Sequence, residues 1–329
     1  MRVFGLLKLE KATLANTSLT LNRLLIIGST GLVGSKVAST ASKHGFEAYN
    51  THNARTSPLP NLVQLDITDR EETLRLARKV RPEAIVNTAA LHNVDYCENH
   101  HEEASRVNVE GVRNLADASR ETGGRLIHLS TDYVFDGNSG HYSELDTPHP
   151  LDFYAETKLE AEKVASELPS YAIARPSVIY GWSPIEAAGV PSSSGKTVNF
   201  AMFVLDKLKK NEAVKAVRDQ YSSPTFADNL ADALLRLAKH SESGIYHTAG
   251  RSCMSRYEFA IKLSEIFGYP TKLVEPVYTS DFKQLAKRPK NSCLRVDRAE
   301  QALGMRFLSA EEGIREMKRQ APSQQVPVA

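Results

Sequence analysis

The chain has 329 residues, and its 41 Lys and Arg residues against 39 Asp and Glu leave a net charge of +2 at pH 7. A chain of this length can bury one large or two modest cores, and the near-neutral charge lacks the basic excess of a nucleic-acid-binding protein. No apolar run in the sequence approaches the about 20 residues that cross a membrane. We therefore expect neither nucleic acid nor a membrane as a partner.

The three cysteines, Cys97, Cys253 and Cys293, are scattered and show no Cys-x-x-Cys spacing. We therefore expect free thiols and a cytoplasmic protein. Adjacent His100 and His101 point to different sides of a helix, and two neighbouring ligands rarely build one metal site. We expect no metal.

A glycine-rich turn follows the first apolar run. Residues 24–27 are continuously apolar, as in a buried parallel strand, and residues 33–43 have helical periodicity before Gly45. A strand, a tight turn and a helix N-terminus together favour a pyrophosphate, because glycines let the backbone come close and the first N–H groups attract the anion. The predicted cofactor-binding residues of this turn are Gly28, Ser29, Thr30, Gly31, Leu32, Val33 and Gly34.

The end of the second strand, residues 47–50, bears on the choice of cofactor. An acidic residue here would bind a ribose 2′-hydroxyl, but the sequence continues Thr51-His52-Asn53-Ala54-Arg55. Arg55 would pair with a 2′-phosphate instead. The sequence therefore favours NADP(H), with NAD(H) as the alternative.

Further apolar strands at residues 63–65, 84–87 and 126–129 alternate with helices. This alternation predicts an α/β fold with a Rossmann-type, doubly wound parallel sheet. Ligand-binding residues collect at the carboxyl ends of such strands, and His128, inside a buried strand, is predicted to be a satisfied core histidine. The predicted cofactor contacts outside the glycine turn are Asp66, Ile67, Ala89, Ala90, Leu91 and Asn108, the last on a helix over residues 104–122.

Tyr154 and Lys158 lie one helical turn apart, 23 residues after Thr131. Reduction of a carbonyl by a nicotinamide needs a proton donor at the oxygen. A free tyrosine has a pKa near 10, and a neighbouring ammonium lowers that pKa. Positions i and i+4 of a helix share a face, so we predict that Lys158 lowers the pKa of Tyr154 and also reaches the cofactor ribose. The Thr131 hydroxyl would orient the carbonyl oxygen.

The order and spacing of these motifs resemble the extended short-chain dehydrogenase/reductases, and within them the dTDP-4-dehydrorhamnose reductases, over residues 23 to 317. The most specific match is Ser130-Thr131-Asp132-Tyr133-Val134-Phe135-Asp136-Gly137. Two late runs, 219–225 and 288–292, separate this branch from other members. The remaining matching runs are 28–34, 87–98, 154–158, 175–181 and 244–250.

The resemblance implies NADPH- or NADH-dependent reduction of a nucleotide-linked 4-keto-6-deoxy sugar, with a dTDP-linked substrate and, as in some relatives, a homodimer. It makes Tyr154 the proton donor, Lys158 its electrostatic partner and Thr131 the hydroxyl that binds the oxygen. Pro176 and Val178 would pass the nicotinamide carboxamide. The implied substrate-binding residues are Val94, Asp132, Tyr133, Asn199, Gln220 and Arg288.

Two departures and one alternative bear on the substrate. Val178 stands where rhamnose-forming members usually carry Trp, and the only tryptophan is Trp182, so the identity of the sugar stays open. Tyr133 stands where sugar 4,6-dehydratases carry Glu, and dehydration needs a pair of carboxyl groups. The chain also resembles the regulatory β subunit of methionine adenosyltransferase, which shares the fold and binds NADP; this alternative would make the protein a non-catalytic subunit.

We predict an NAD(P)-binding domain over residues 23–182 with returning segments at 218–250. A smaller, mainly C-terminal substrate-binding domain would comprise residues 183–217 and 251–318. Residues 1–22 would be an N-terminal extension, residues 319–329 a disordered tail, and the Pro-, Ser- and Gly-rich stretch 184–197 a flexible loop at the mouth of the cleft. The predicted helices of the second half are 199–208, 229–240 and 257–267.

Overall fold

The computed structural model describes residues 22–54, 57–182 and 199–321. Several predictions lie outside these residues: nearly all of the N-terminal extension, Arg55, the loop 184–197 and the end of the tail from residue 322.

A seven-stranded parallel sheet forms the centre of the protein. The strands in chain order are β1 (Asn22–Ile27), β2 (Phe46–His52), β3 (Leu62–Gln64), β4 (Ala84–Asn87), β5 (Arg125–Leu129), β6 (Tyr171–Arg175), β7 (Ser177–Tyr180), β8 (Val214–Val217), β9 (Tyr221–Ser222), β10 (Pro224–Phe226), β11 (Gly244–His247), β12 (Met254–Ser255) and β13 (Val274–Val277). The sheet order is β11-β6-β5-β4-β1-β2-β3. After β1 the strands are added on one side as β2 and β3, and from β4 onward they are added on the other side. Doubly wound sheets open a ligand-binding crevice at such a switch, which here lies between β1 and β4. The predicted Rossmann-type fold is confirmed.

Helices connect the strands at almost every crossing. They are α1 (Leu32–Thr40), α2 (Arg70–Val80), α3 (Val94–Cys97), α4 (His101–Ser105), α5 (Gly111–Thr122), α6 (Phe153–Ser166), α7 (Phe200–Lys209), α8 (Ala227–Lys239), α9 (Arg256–Phe267), α10 (Asp297–Leu303) and α11 (Ala310–Arg319). A π-helical turn, Arg106–Glu110, joins α4 to α5, so the predicted helix 104–122 begins earlier and is locally underwound. Gly45 and Gly123 end their helices in the left-handed conformation, which glycine adopts without steric cost.

The two faces of the sheet carry separate apolar clusters. In β1, Leu24 and Ile26 pack on one face while Leu25 and Ile27 pack on the other, which explains why this strand is continuously apolar. A third cluster joins Trp182 to residues of α7, α9 and α11. This grouping agrees with a second domain, although the domain boundaries remain predictions.

Two predictions need correction. Cys253 and Cys293 form a disulfide with a Cα–Cα distance of 5.5 Å, and only Cys97 is a free, buried thiol. Spacing along the chain cannot reveal this pair, because the fold brings together residues 40 apart within disulfide reach. The tail prediction also begins too early: α11 runs through Arg319, and the Gln320 amide donates to Glu316.

Among the described residues, no helix is both long and apolar enough to cross a membrane. The same residues contain no group of three or more His, Cys, Asp or Glu side chains placed to hold a metal ion. The absence of a metal site therefore remains a prediction.

Candidate active site

The glycine turn between β1 and α1 has the shape of an anion cradle. Gly28 has a φ of +77°, which favours glycine, and a Cβ on Gly34 would lie 2.3 Å from the Gly28 carbonyl oxygen. No side chain caps the start of α1, so its first N–H groups are left for a ligand. The buried Ser29 hydroxyl turns away from this end and donates to the Thr51 carbonyl at 2.7 Å. The turn therefore fits a dinucleotide pyrophosphate through its backbone.

Asn108 connects the predicted cofactor groove to the helix that carries Tyr154. Its Oδ1 accepts from the Leu91 N–H at 2.8 Å, and its Nδ2 donates to the Leu91 carbonyl and to Thr157 Oγ1, both at 3.0 Å. Asn108 lies in the π-helical turn, and such turns are frequent at functional sites. The amide thus positions the groove and α6 relative to each other.

Two further groove residues have structural contacts of their own. The Asp66 carboxylate accepts from the Thr68 N–H at 2.9 Å. The Ile67 side chain packs against Gly111, and a Cβ added to that glycine would lie 2.6 Å from Ile67 Cδ1. No measurement tests their predicted contact with the cofactor.

Thr131, Tyr154 and Lys158 meet at the carboxyl edge of the sheet, Thr131 following β5 and the other two on the buried face of α6. Asp152 caps α6 by accepting from the Ala155 N–H at 2.8 Å. Tyr133 lies edge-on to Tyr154, with ring centroids 6.4 Å apart. Thr131, Tyr154 and Lys158, which the sequence predicts to be the catalytic residues, are therefore neighbours in the fold.

Burial dominates the electrostatics of this site. It raises the pKa of Tyr154, and a hydrogen bond from Thr131 opposes the shift. It lowers the pKa of Lys158 to about 8, against the attraction of Glu162. The predicted lowering of the Tyr154 pKa is therefore wrong in this structure, because burial of the phenol raises that pKa.

The amine of Lys158 instead faces β5. It donates to the Leu129 carbonyl at 2.7 Å and lies 3.1 Å from His128 Nε2. His128 is fully buried, as predicted, but it also contacts Lys158, a predicted catalytic residue, and the sequence did not reveal that contact. The available signal was a polar residue inside an otherwise apolar strand.

Four of the implied substrate residues lie near Tyr154 or Thr131. Val94 and Tyr133 pack in one small cluster with Tyr154. Arg288 forms an ion pair with Asp95 at 3.0 Å. The buried Asp132 carboxylate already accepts from three hydroxyl groups, those of Thr131, Ser177 and Ser292.

The remaining implied residues have structural partners of their own. Asn199 caps α7 and donates to the Gly181 carbonyl at 2.8 Å. Gln220 donates to Thr279 at 3.0 Å. The Pro176 carbonyl accepts from the Asp132 N–H at 3.0 Å, and Val178 has a φ of +39°, a strained value for a β-branched residue.

A polar cavity of about 660 Å³ opens beside these residues. Its lining includes two cations, Arg218 and Lys290, and the ring of Tyr278, which lies 5.6 Å from the Arg218 guanidinium. The described lining does not include Thr131, Tyr154 or Lys158. The lining also includes the Asp219 carboxylate, so the cavity presents charges of both signs and an aromatic ring.

Comparisons with known proteins agree with this geometry. The family model described as "RmlD substrate binding domain" matches residues 22–322. The dTDP-4-dehydrorhamnose reductase of Aggregatibacter actinomycetemcomitans is 33% identical over 299 residues, covering 86% of this chain and 94% of the relative. Methionine adenosyltransferase 2 subunit beta of Bos taurus is 32% identical over 285 residues, covering 84% and 81%.

A solved structure of dTDP-4-dehydrorhamnose reductase from Bacillus anthracis, in complex with NADP, superposes with a TM-score of 0.80. It is 28% identical in sequence, and the match covers 92% of this chain and 100% of that one. The chain therefore belongs to the RmlD substrate binding domain family, within the extended short-chain dehydrogenase/reductases.

Proposed function

We propose that this protein is an NAD(P)H-dependent oxidoreductase that reduces the keto group of a nucleotide-linked 4-keto-6-deoxy sugar, with dTDP-4-dehydrorhamnose as the first substrate to test. The observation that carries the proposal is the assembly of Thr131, Tyr154 and Lys158 beside a backbone cradle for a dinucleotide. The names of the relatives support the choice of reaction and substrate.

NADPH is the favoured cofactor because a relative's structure holds NADP, with NADH as the alternative. The turn at residues 28–34 would hold its pyrophosphate. When bound, the cofactor supplies the hydride to the carbonyl carbon. Arg55, the residue proposed to select the 2′-phosphate, awaits a direct comparison of NADPH and NADH turnover.

Tyr154 would act as the general acid. Its raised pKa keeps the phenol protonated at neutral pH, and a general acid must hold its proton until negative charge develops on the substrate oxygen. The Thr131 hydroxyl would hold that oxygen in line. A positive Lys158 would then stabilise the phenolate that proton transfer leaves behind.

The nucleotide would occupy the cavity of about 660 Å³ described above. Arg218 and Lys290 supply positive charge for a diphosphate there, and Tyr278 offers a ring surface for a base. Val178, in place of the larger Trp of rhamnose-forming relatives, leaves the choice of sugar to experiment.

The decisive assay follows nicotinamide absorbance with NADPH and dTDP-4-keto-6-deoxy-L-mannose generated by its upstream enzymes. We expect oxidation that requires both protein and keto sugar. Tyr154→Phe should lower turnover by about two orders of magnitude, the scale of lost general acid catalysis, with NADPH affinity nearly intact. Tyr171→Phe, on β6, is the matched control. Unchanged turnover in Tyr154→Phe would refute the role of the phenol.

The second candidate is a regulatory subunit, supported by the 32% identity to methionine adenosyltransferase 2 subunit beta. Under this alternative the protein would bind NADPH tightly, leave every tested keto sugar unreduced and co-purify with a catalytic methionine adenosyltransferase chain. Reduction of a keto sugar at a rate that Tyr154→Phe abolishes would exclude it as the sole function.

We also propose the two-domain division given above, a homodimer and a cytoplasmic location, which suits an enzyme that draws on NADPH and nucleotide sugars. Sedimentation of the purified chain tests the dimer, and cell fractionation tests the compartment. The Cys253–Cys293 disulfide is uncommon in a reducing compartment, so thiol titration of freshly lysed cells is the sharper test of location.

A further inference from the structure

Three hydrogen bonds, two of them fully buried, run from the predicted cofactor groove to the amine of Lys158. The Ala89 N–H donates to Asn87 Oδ1 at 3.0 Å, Asn87 Nδ2 lies 3.2 Å from His128 Nδ1, and His128 Nε2 lies 3.1 Å from Lys158 Nζ. Asn87, His128 and Lys158 are each at most 1% exposed. Parallel strands β4 and β5 place Asn87 and His128 opposite each other in register, so the backbone fixes the chain.

The direction of each hydrogen bond in this row, from Ala89 to Lys158, follows from which groups can donate. The Ala89 N–H can only donate, so the Asn87 oxygen must face it and the Asn87 NH₂ must face His128 Nδ1. Burial alone disfavours a charged imidazole and lowers the pKa of His128 well below its usual value, so its ring is neutral and carries one N–H. With Nδ1 accepting from Asn87, that N–H is on Nε2 and points at Lys158. Only an uncharged amine can accept it.

An ammonium at Lys158 demands the opposite arrangement. His128 Nε2 would then accept, its Nδ1–H would need the Asn87 oxygen, and the Asn87 NH₂ would turn against the Ala89 N–H, donor to donor. Because Asn87 is fully buried, leaving its NH₂ without an acceptor is costly. The Leu129 carbonyl, the other partner of Lys158, accepts from either form and does not discriminate between them.

We propose that Asn87 and His128 are positioning residues whose hydrogen-bond chain favours the neutral amine of Lys158 and thereby sets the pH at which this residue becomes charged. The inference rests on the proposed reductase function for its catalytic meaning, because the charge on Lys158 is what would stabilise the Tyr154 phenolate. The chain acts in the same direction as burial, which already lowers the pKa of Lys158 to about 8.

Other ionisable groups near Lys158 are accounted for separately. Glu162 on α6 raises the pKa of Lys158, and it is itself bound by Arg175 of β6 at 2.6 Å. Tyr154 shares α6, and Asp132 follows β5. The variants below leave all four of these groups in place. Asn87→Asp adds a carboxylate that by itself favours the ammonium, so His128→Gln is the variant that changes the hydrogen bonds alone.

The test is a pH titration of Lys158 in the full-length protein labelled with ¹³C at lysine Cε, followed by NMR and assigned with Lys158→Arg. In His128→Gln, an amide oxygen can accept from the ammonium, so the pKa of Lys158 should rise by about one, the tenfold effect of one charge-assisted hydrogen bond. His247→Gln is the matched control, because His247 is equally buried but contacts the Tyr142 and Arg295 carbonyls and, at 3.5 Å, Arg175 Nη1.

A second variant guards against misfolding of the first. Asn87→Asp offers one oxygen to Ala89 and the other to His128 Nδ1–H, which frees Nε2 to accept from the ammonium, and the pKa of Lys158 should again rise. An unchanged Lys158 titration in folded His128→Gln or folded Asn87→Asp overturns the proposal. An equal rise in His247→Gln overturns it too.

The titration needs no substrate, so it separates this inference from the proposed function. If the protein reduces the keto sugar, the basic limb of its kcat/KM profile should move upward by about one pH unit in His128→Gln, in step with the lysine. If the protein reduces the keto sugar but the pKa of Lys158 is unchanged in the variants, the proposed role of the hydrogen-bond chain is refuted and the reductase function stands. If the pKa of Lys158 rises in the variants but the protein reduces no keto sugar, the role of the hydrogen-bond chain is supported and the reductase function is not.

Discussion

Ser292 Oγ donates to the Asp132 carboxylate at 2.5 Å across 160 residues of sequence, and both side chains are buried. The same carboxylate accepts from Ser177 at 2.6 Å. Asp132 therefore fastens the segment that carries Arg288 and Lys290 to the end of β5. The sequence reading implied that Asp132 binds the sugar, whereas these contacts give it a role in joining the two halves of the site.

Ser292→Ala should lower the free energy of unfolding by about 1 to 3 kcal/mol, because it removes one hydroxyl partner from a buried carboxylate. It should also raise KM for the nucleotide sugar more than it lowers kcat. Urea denaturation and steady-state kinetics measure the two effects. Ser39→Ala, at an exposed helical position, is the control, and equal effects of the two variants would contradict this reading.

Gly34→Ala should weaken NADPH binding by at least about tenfold, the effect of about 1.4 kcal/mol. The added Cβ would lie 2.3 Å from the Gly28 carbonyl oxygen, so the turn must shift. Gly31→Ala makes a useful comparison: its Cβ would lie 3.3 Å from the same oxygen, at an ordinary φ of −80°. Calorimetric titration with NADPH should therefore find the larger loss in Gly34→Ala, and equal affinities would refute the close-approach argument.

Asn108→Ala leaves the Leu91 N–H without its side-chain partner and leaves only Cys97 Sγ as a side-chain donor to the Leu91 carbonyl. We expect a loss of about 1 to 3 kcal/mol in unfolding free energy and a fall in kcat of about tenfold or more, because α6 is no longer held against the groove. Asn114→Ala removes a similar buried amide that donates to the Ile67 carbonyl. It should destabilise the protein with little change in kcat, and a matching fall in kcat would show that Asn108 acts through stability alone.

Asp152 gives a pH dependence of stability. Burial raises its pKa to about 6, and its Oδ2 lacks a partner. A folded-state pKa above the unfolded value near 3.9 means that the carboxyl stabilises the fold only while protonated. Its contribution is therefore present below about pH 4 and lost as the pH rises through 6, at about 1.4 kcal/mol per pKa unit.

Asp152→Asn keeps the helix cap and removes the ionisation. We expect the variant to exceed the parent in unfolding free energy at pH 7.5 by about 2 to 3 kcal/mol, with the difference shrinking towards pH 4. Urea denaturation across this range measures it. A variant that is less stable than the parent at pH 7.5 would show that the Asp152 carboxylate is favourable where it lies.

The sequence by itself determined the sheet, the glycine turn and the grouping of Thr131, Tyr154 and Lys158. Each follows from local rules: apolar strands, glycine at a left-handed φ, and two side chains one helical turn apart. Gly45 was expected to follow the first helix for the same reason, and the structure has it there in the left-handed conformation.

Only the tertiary structure decided what these residues touch. The Cys253–Cys293 pair, the Asp132–Ser292 bond and the contact between His128 and Lys158 each join segments far apart in the chain. The direction of the Tyr154 pKa also depended on burial, which sums contributions from every element around the ring. Local sequence pattern carries no information on such contacts, because strand register and packing set them after the elements have formed.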